Sequence, residues 1–334
     1  MAWDASSVPH LWTRFYPACR FSCQSTASLL GVINTANGII YMSEHLKGLL
    51  ITTLGVLLVV PDALFVRLIV ADPMVTAFWR GLTAGCFVLF VLVVVQGTKG
   101  FAEVFRTGWP GVIYTVLIAS TAPAFVLAVT QTSVANVVFI FASMPIFAAL
   151  FSRLFLREPI QPRVAITMVA VILGLGIIAY GSSETAIASW KGDLWAVYVS
   201  AAYAAALTAV RKVKATSMIP AIPIAYIGAA VLLGLFVSPM PAFAAQWPLF
   251  LGHGLFIGAA SCLLALGPRF ISSAEVALLV LLESVLAPIL VWAVIGEDPG
   301  HWAILGGTVV IGALIVSNVY ALLHHRKKAR RVAS

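Results

Sequence analysis

Long, nearly unbroken apolar runs constrain this chain more than any other feature. Thr115–Ala128 is apolar on every helical face, and so is Ala277–Val294 apart from Glu283. A helix of a soluble protein keeps a polar face toward water. A membrane-barrel strand alternates apolar and polar residues over about ten positions. Neither pattern is present, so the runs read as helices in hydrocarbon, where one span needs about 20 apolar residues. Composition agrees: 61% of the 334 residues are hydrophobic and only 10% are charged, against about 25% charge in an ordinary soluble domain. A water-soluble enzyme is excluded, as is a disordered or fibrous chain.

The apolar runs and their breakers define ten segments, near residues 48–70, 73–95, 109–129, 132–152, 163–181, 192–211, 219–238, 248–267, 273–295 and 302–323. The breakers are local, among them Ala71-Asp72-Pro73, Glu158-Pro159 and Pro239-Met240-Pro241. Most connections are short, so successive helices are antiparallel neighbours. Of the 20 Lys and Arg, 17 fall on the even-numbered side, counting outward from the N-terminal tail; Arg67 and Lys191 alone fall on the odd side, and Arg80 lies inside a span. Lys and Arg concentrate on the cytoplasmic side of a membrane, so a multi-pass cell-membrane protein with both termini in the cytoplasm is expected. Orientation thereby accounts for the net charge of +8, and no nucleic-acid partner is expected. Cys86 and Cys262 lie inside spans, and Cys19 and Cys23 form a lone pair without further ligands, so neither a metal site, a cofactor nor a structural disulfide is expected.

Four regions follow: an N-terminal extension at 1–47, a first five-helix repeat at 48–181, a second at 182–323 and a basic tail at 324–334. The extension is weakly apolar and broken by Asn34, Asn37 and Gly38. It makes a poor signal peptide, and residues 1–41 are expected to be disordered or to precede a true start at Met42.

The two halves align at an offset of 139, with Ser133-Val134-Ala135-Asn136 against Ser272-Ser273-Ala274-Glu275. Each motif opens a long apolar helix with a nearby proline (Pro145, Pro288), an acidic turn (Glu158-Pro159, Glu297-Asp298-Pro299) and then a Gly-rich helix. Five spans per half is an odd number, so the second half inserts upside down. Inverted repeats of this kind mark transporters, with a midplane site at the repeat interface. The expected fold is an all-α integral membrane protein of ten transmembrane helices in two inverted five-helix repeats.

This arrangement resembles the drug/metabolite transporter superfamily, EamA type. The residues that carry the resemblance are Phe78-Trp79-Arg80, Ser133–Asn136, Phe155-Leu156-Arg157-Glu158-Pro159, Ser273-Ala274-Glu275, Leu282-Glu283 and Ile295-Gly296-Glu297. One departure is Ser284, where the family often has proline directly after the acid; here Pro288 follows one turn later. The resemblance implies a transporter of small organic solutes, often an exporter, without naming the solute.

An ionisable residue inside a span costs at least about 2.5–3.5 kcal/mol at the bilayer centre and is a functional candidate by default. Asp62 in span one and Arg80 in span two come to similar depth in adjacent antiparallel helices, so they are expected to pair or to share a cavity. In a functional role Arg80 meets an anionic group of the solute while Asp62 holds it or exchanges a proton; in a structural role the pair locks the two spans together. Arg67 lies near the outer interface, where it could snorkel. His253 fits a cavity or a satisfied structural position. Asn136 and Glu275 occupy equivalent repeat positions and read as gate or packing residues. Trp79, Tyr114, Tyr198 and Tyr203 could line a cavity or face the interface and lipid. Gly174 and Gly176 suit close helix packing within the chain, or a homodimer face.

Glu283 is about the eleventh residue of span nine, which puts it ~15 Å deep. Burial in hydrocarbon disfavours the charged carboxylate, so Glu283 is the candidate for proton coupling. Its repeat counterpart is Met144 beside Pro145. A protonated Glu283 bonded to a carbonyl freed by Pro288 is the structural alternative.

The function expected from these features is secondary active transport of a small organic metabolite by alternating access, in the export direction. The chain has no G-x4-G-K-[ST], no H-E-x-x-H and no G-x-S-x-G, and its one His pair, His324-His325, lies in the basic tail. An intramembrane enzyme therefore lacks its usual groups. A channel or a non-transporting membrane component remains as the rival class.

Overall fold

The computed structural model describes residues 34–36, 39–41, 44–157, 159–160, 162–181, 189–210, 218–267, 270–271 and 273–333. It divides into two units, 1–46 and 47–334. In the first unit, strands β1 (Asn34–Ala36) and β2 (Ile39–Tyr41) pair antiparallel, with Asn34 opposite Tyr41. The intervening Asn37-Gly38 is a strong hairpin signal in sequence. This hairpin lies within residues 1–41, where disorder or a true start at Met42 is expected; the rest of that expectation lies outside the described residues.

From Glu44 onward every described element is a helix. The first apolar run is broken at Pro61 into α1 (Glu44–Val59) and α2 (Asp62–Leu68), because proline lacks an N–H and its ring crowds the preceding turn. In α3 (Pro73–Gln96), Asp72 caps the start by accepting a hydrogen bond from the Met74 N–H at 2.8 Å, with Pro73 at the first position. A short helix, α4 (Lys99–Arg106), occupies the connection to α5 (Trp109–Gln131). The fourth run is also broken, into α6 (Val134–Phe141) and α7 (Met144–Phe155), with Ser133 capping α6 and Pro145 in the first turn of α7. There follow α8 (Pro162–Gly181), α9 (Trp190–Val210), α10 (Ala221–Gly234), α11 (Met240–Leu266), α12 (Ser273–Ile295) and α13 (His301–Ala333).

Two boundaries correct the sequence reading. Helix α11 begins at Met240 rather than near 248 and bends at Gln246, two residues before Pro248. Gln246 spans that bend by bonding both the N–H and the C=O of Val70, at 2.9 Å each. Helix α13 continues through the basic tail as one element.

Among the described residues, seven helical runs are long and apolar enough to cross a membrane: Glu44–Leu68, Pro73–Gln96, Trp109–Gln131, Val134–Phe155, Val164–Gly181, Met240–Leu266 and His301–Tyr320. Helix α10 and the Leu279–Ile295 part of α12 are shorter apolar helices. Large apolar side chains cover the outside, including Phe90, Val95, Ile166, Leu173, Phe236 and Val316. Such a surface suits lipid and would aggregate in water.

Inside, α5 packs along α9, α8 along α13, and α3 along both α10 and α11. Small residues allow this. A Cβ on Gly174 would meet the Gly306 oxygen at 2.9 Å, and one on Gly306 would meet the Gly174 oxygen at 2.6 Å. Gly174 is thus spent on packing α8 against α13 within the chain. The main core draws Val126 and Val129 from α5, Val134, Val137 and Val138 from α6, Ala196 from α9 and Val291 from α12. It holds the broken helices α2 and α6 in place around the polar residues described next.

Candidate functional site

Helices α2, α3 and α11 each deliver one polar side chain to a common point. Asp62 opens α2 directly after Pro61, Arg80 lies in α3, and His253 lies in α11. The Arg80 Nε donates to Asp62 Oδ1 at 2.9 Å and Nη2 donates to Oδ2 at 2.6 Å, a two-pronged ion pair. His253 Nε2 lies 2.6 Å from the same Oδ1. All three residues are buried, and His253 is wholly inaccessible. Phe65, one turn after Asp62 on α2, stacks on the His253 ring at 5.3 Å with 11° between planes. The Phe125 ring from α5 lies 5.4 Å from the Arg80 guanidinium carbon. The expected Asp62–Arg80 pair is therefore formed, and His253, read as solitary, joins it.

Helix α12 presents three distinct stripes. Ser284, Ala287, Pro288 and Val291 are buried, and the Ser284 hydroxyl donates to the Val138 carbonyl of α6 at 3.3 Å. Leu282, Val285, Ile289 and Trp292 are exposed. Leu279, Glu283, Leu286 and Leu290 form an intermediate stripe at helical spacing. Leu286 and Leu290 pack against the main core, and Glu283 lies within electrostatic reach of Asp62 and Arg80. Glu283 is thus on the protein side of α12 and away from its exposed stripe. It makes no hydrogen bond or ion pair among the described residues, so the bond to a carbonyl freed by Pro288 is not formed.

Beside this centre three tyrosines pack together: Tyr114 of α5, Tyr203 of α9 and Tyr226 of α10. Tyr203 also meets the Phe141 ring edge-on at 6.0 Å. Tyr203 is within electrostatic reach of Glu283, and Tyr226 of Arg80. Their hydroxyls have no hydrogen-bond partner among the described residues. Tyr226 was invisible in the sequence because it interrupts an apolar run without any charge nearby.

A second polar cluster gathers residues from alternate connections of the chain. Arg67, in the last turn of α2, donates from Nη2 to the Thr132 carbonyl at 2.9 Å, and its Nε lies 2.8 Å from Glu297 Oε2. The other Glu297 oxygen accepts from the Val134 N–H at 2.7 Å. Asp193 Oδ1 accepts from the Thr132 hydroxyl at 2.7 Å and from Asn136 Nδ2 at 3.1 Å. Gly192 permits this approach, since a Cβ there would meet the Thr132 nitrogen at 2.7 Å. Arg67 is thus tied into the protein rather than snorkelling. Asn136 joins the starts of α6 and α9. Asp193 is a site residue that sequence reading missed, because a lone acid at the edge of a span reads as a boundary marker.

Trp79 is corrected from a cavity candidate to a packing residue. Its Nε1–H donates to the Pro239 carbonyl at 2.9 Å, and its ring stacks on Phe243 at 4.0 Å. Tyr198 is exposed, with its hydroxyl bonded to Ser120. The side chain of Glu275 lies outside the described residues. No cluster of three or more metal-ligating side chains occurs among the described residues.

The fold is that of a multi-pass helical membrane protein with one charged centre buried in an apolar core. The sequence matches the EamA-like transporter family over residues 46–180 and again over 190–319. The chain belongs to that family, which is one of transporters rather than enzymes. Among curated proteins no relative matches it. A solved structure, titled only as the crystal structure of a protein, has 18% sequence identity and a TM-score of 0.58; the likeness covers 83% of this chain and 99% of that one. At that identity it supports the fold alone.

Proposed function

We propose that the chain is a secondary active transporter that exports a small organic solute by alternating access, with protons coupled through Glu283. The observation that carries this reading is the buried Asp62–Arg80–His253 centre, where α2 and α3 from one family-matched half meet α11 from the other. Such groups are costly in a membrane interior and are retained there for solute or ion pathways. The family matching twice, once in each half, supports ten spans in two inverted repeats. Breaks in α1–α2 and α6–α7 support a midplane site, since interrupted helices line such sites in transporters.

The Arg67–Glu297 and Asp193–Thr132–Asn136 contacts join connections that the Lys and Arg distribution assigns to the outer side. They fit an outer gate, closed in this conformation. Both termini then face the cytoplasm of a cell-membrane protein.

Solute flux in proteoliposomes, with and without an imposed pH gradient, tests the reading. Flux should depend on the gradient, and Asp62→Ala or Arg80→Ala should abolish it. Glu283→Gln should flatten the pH profile of any residual flux. Wild-type flux from a well-expressed Arg80→Ala protein would overturn the assignment.

A further inference from the structure

We propose that the solute passes between the buried centre and the outer face beneath the first six residues of α11, Met240–Ala245, which form a hinged flap closed in this conformation. This rests on the transporter reading and assigns the outer route of that same site. The argument begins with a break in the backbone. Gln246 takes φ −136° and ψ 26°, outside the helical region, within an otherwise continuous α11. Pro248 lacks the N–H that would tie this point to the preceding turn. One residue thus interrupts the helix, as hinge positions do.

The two sides of the break are held differently. Beyond it, α11 is interlocked with α3. A Cβ on Gly254 would meet the Ala84 nitrogen at 2.8 Å, and one on Gly258 the Ala84 oxygen at 3.2 Å. Backbones that close move as one body. Ahead of it, the flap is held by a few separable contacts. The Gln246 amide bonds both backbone groups of Val70 at 2.9 Å, in exposed positions. The Trp79 Nε1–H reaches the Pro239 carbonyl at 2.9 Å, and the Trp79 ring lies on Phe243 at 4.0 Å. Water replaces exposed hydrogen bonds at little net cost. The flap shares no residue with the Arg67–Glu297 or Asp193–Thr132–Asn136 contacts.

What the flap covers gives it its role. Asp62, Arg80 and His253 come from α2, α3 and α11, and the same stretches of chain supply an apolar layer. Ile69, Val75, Trp79 and Phe250 are buried as one cluster, with Phe243 of the flap packed against it. Ile69 follows Asp62 by seven residues, Val75 precedes Arg80 by five and Phe250 precedes His253 by three. On the topology proposed above, the layer therefore stands ~5–10 Å outward of the centre. Apolar side chains there exclude water and charged groups from the Asp62–Arg80 pair. Bending at Gln246 draws Phe243 off Trp79 and opens the layer without moving His253.

The test is labelling of a Val75→Cys probe from outside by impermeant 2-sulfonatoethyl methanethiosulfonate, in sealed right-side-out vesicles and without the four native cysteines. Gln246→Ala should raise the labelling rate about fivefold. Trp79→Phe, which keeps the ring and loses the N–H, should raise it by a smaller factor and carries the same test if the Ala variant fails to fold. A Val88→Cys probe, buried on the inner half of α3, should not respond; an equal rise there would mean general loosening and would overturn the flap, as would an unchanged rate at Val75→Cys. In the proteoliposome assay, joining Val70→Cys to Gln246→Cys with a short bifunctional methanethiosulfonate should stop flux, and a reductant should restore it. Undiminished flux through the fully bridged protein would refute the route. Labelling needs no solute, so the two readings separate. A protein that labels as expected yet moves no solute refutes the transporter and keeps the flap. Flux with unchanged labelling does the reverse.

Discussion

Two carboxylate oxygens of Asp62 serve three nitrogens from two other helices. Removing that carboxylate leaves the Arg80 guanidinium buried without a counter-charge, which typically costs about 3–5 kcal/mol. Asp62→Ala should therefore lower the melting temperature of the purified protein sharply. The double variant Asp62→Leu/Arg80→Met should recover much of the loss, because it removes both charges together; a double variant no more stable than the single one would refute this account. How far these residues were legible differs by cause. The Asp62–Arg80 pair followed from depth arithmetic on adjacent antiparallel spans. His253 stands 191 residues from Asp62, and nothing local in sequence reports which faces of distant helices meet. Asp193 and Tyr226 went unread for local reasons: an acid at the edge of a span reads as a boundary, and a tyrosine within an apolar run carries no charge to single it out.

Helices were easier to read than the interruptions within them. Apolar length locates a span because hydrocarbon demands it, and α3, α5, α8 and α9 fall within two residues or so of the expected bounds. The breaks at Pro61 and at Ala142-Ser143 were hidden, because a proline within an apolar run marks a kink, a break or neither depending on its neighbours. The ends of these elements carry the Arg67–Glu297 contact, proposed above as part of an outer gate. Arg67→Ala or Glu297→Gln should loosen the gate by ~1 kcal/mol, a roughly fivefold shift toward the outward-open state. The measurement is labelling of a Leu64→Cys probe by an impermeant thiol reagent added outside, in a background without the four native cysteines. Unchanged labelling in both variants would rule out the gate. Close packing gives a separate forecast. Gly306→Ile inserts a side chain where α8 already touches α13, and should destabilise the protein by about 1–3 kcal/mol in thermal unfolding; a neutral result would show that the contact is slack.

At the scale of the whole molecule, the Lys and Arg asymmetry predicts the side on which each connection lies. Alkaline phosphatase fused after Ser334 should be inactive and a fluorescent protein at the same place bright; an active phosphatase would invert the topology. The continuity of α13 gives that end a mechanical character. At ~1.5 Å per residue its 33 residues make a rod of about 50 Å. A flexible tail would absorb any motion of its anchor, whereas a rod transmits it. A tilt of ~10° in its membrane-embedded half would sweep the far end through roughly 9 Å. Arg326, Lys327, Lys328, Arg330 and Arg331 belong to that end in sequence, and on the topology proposed above it faces the inner leaflet, whose anionic lipids attract Lys and Arg. The bilayer surface would then act as a spring on the lever, so that each cycle of the transporter works against the lipid composition around it.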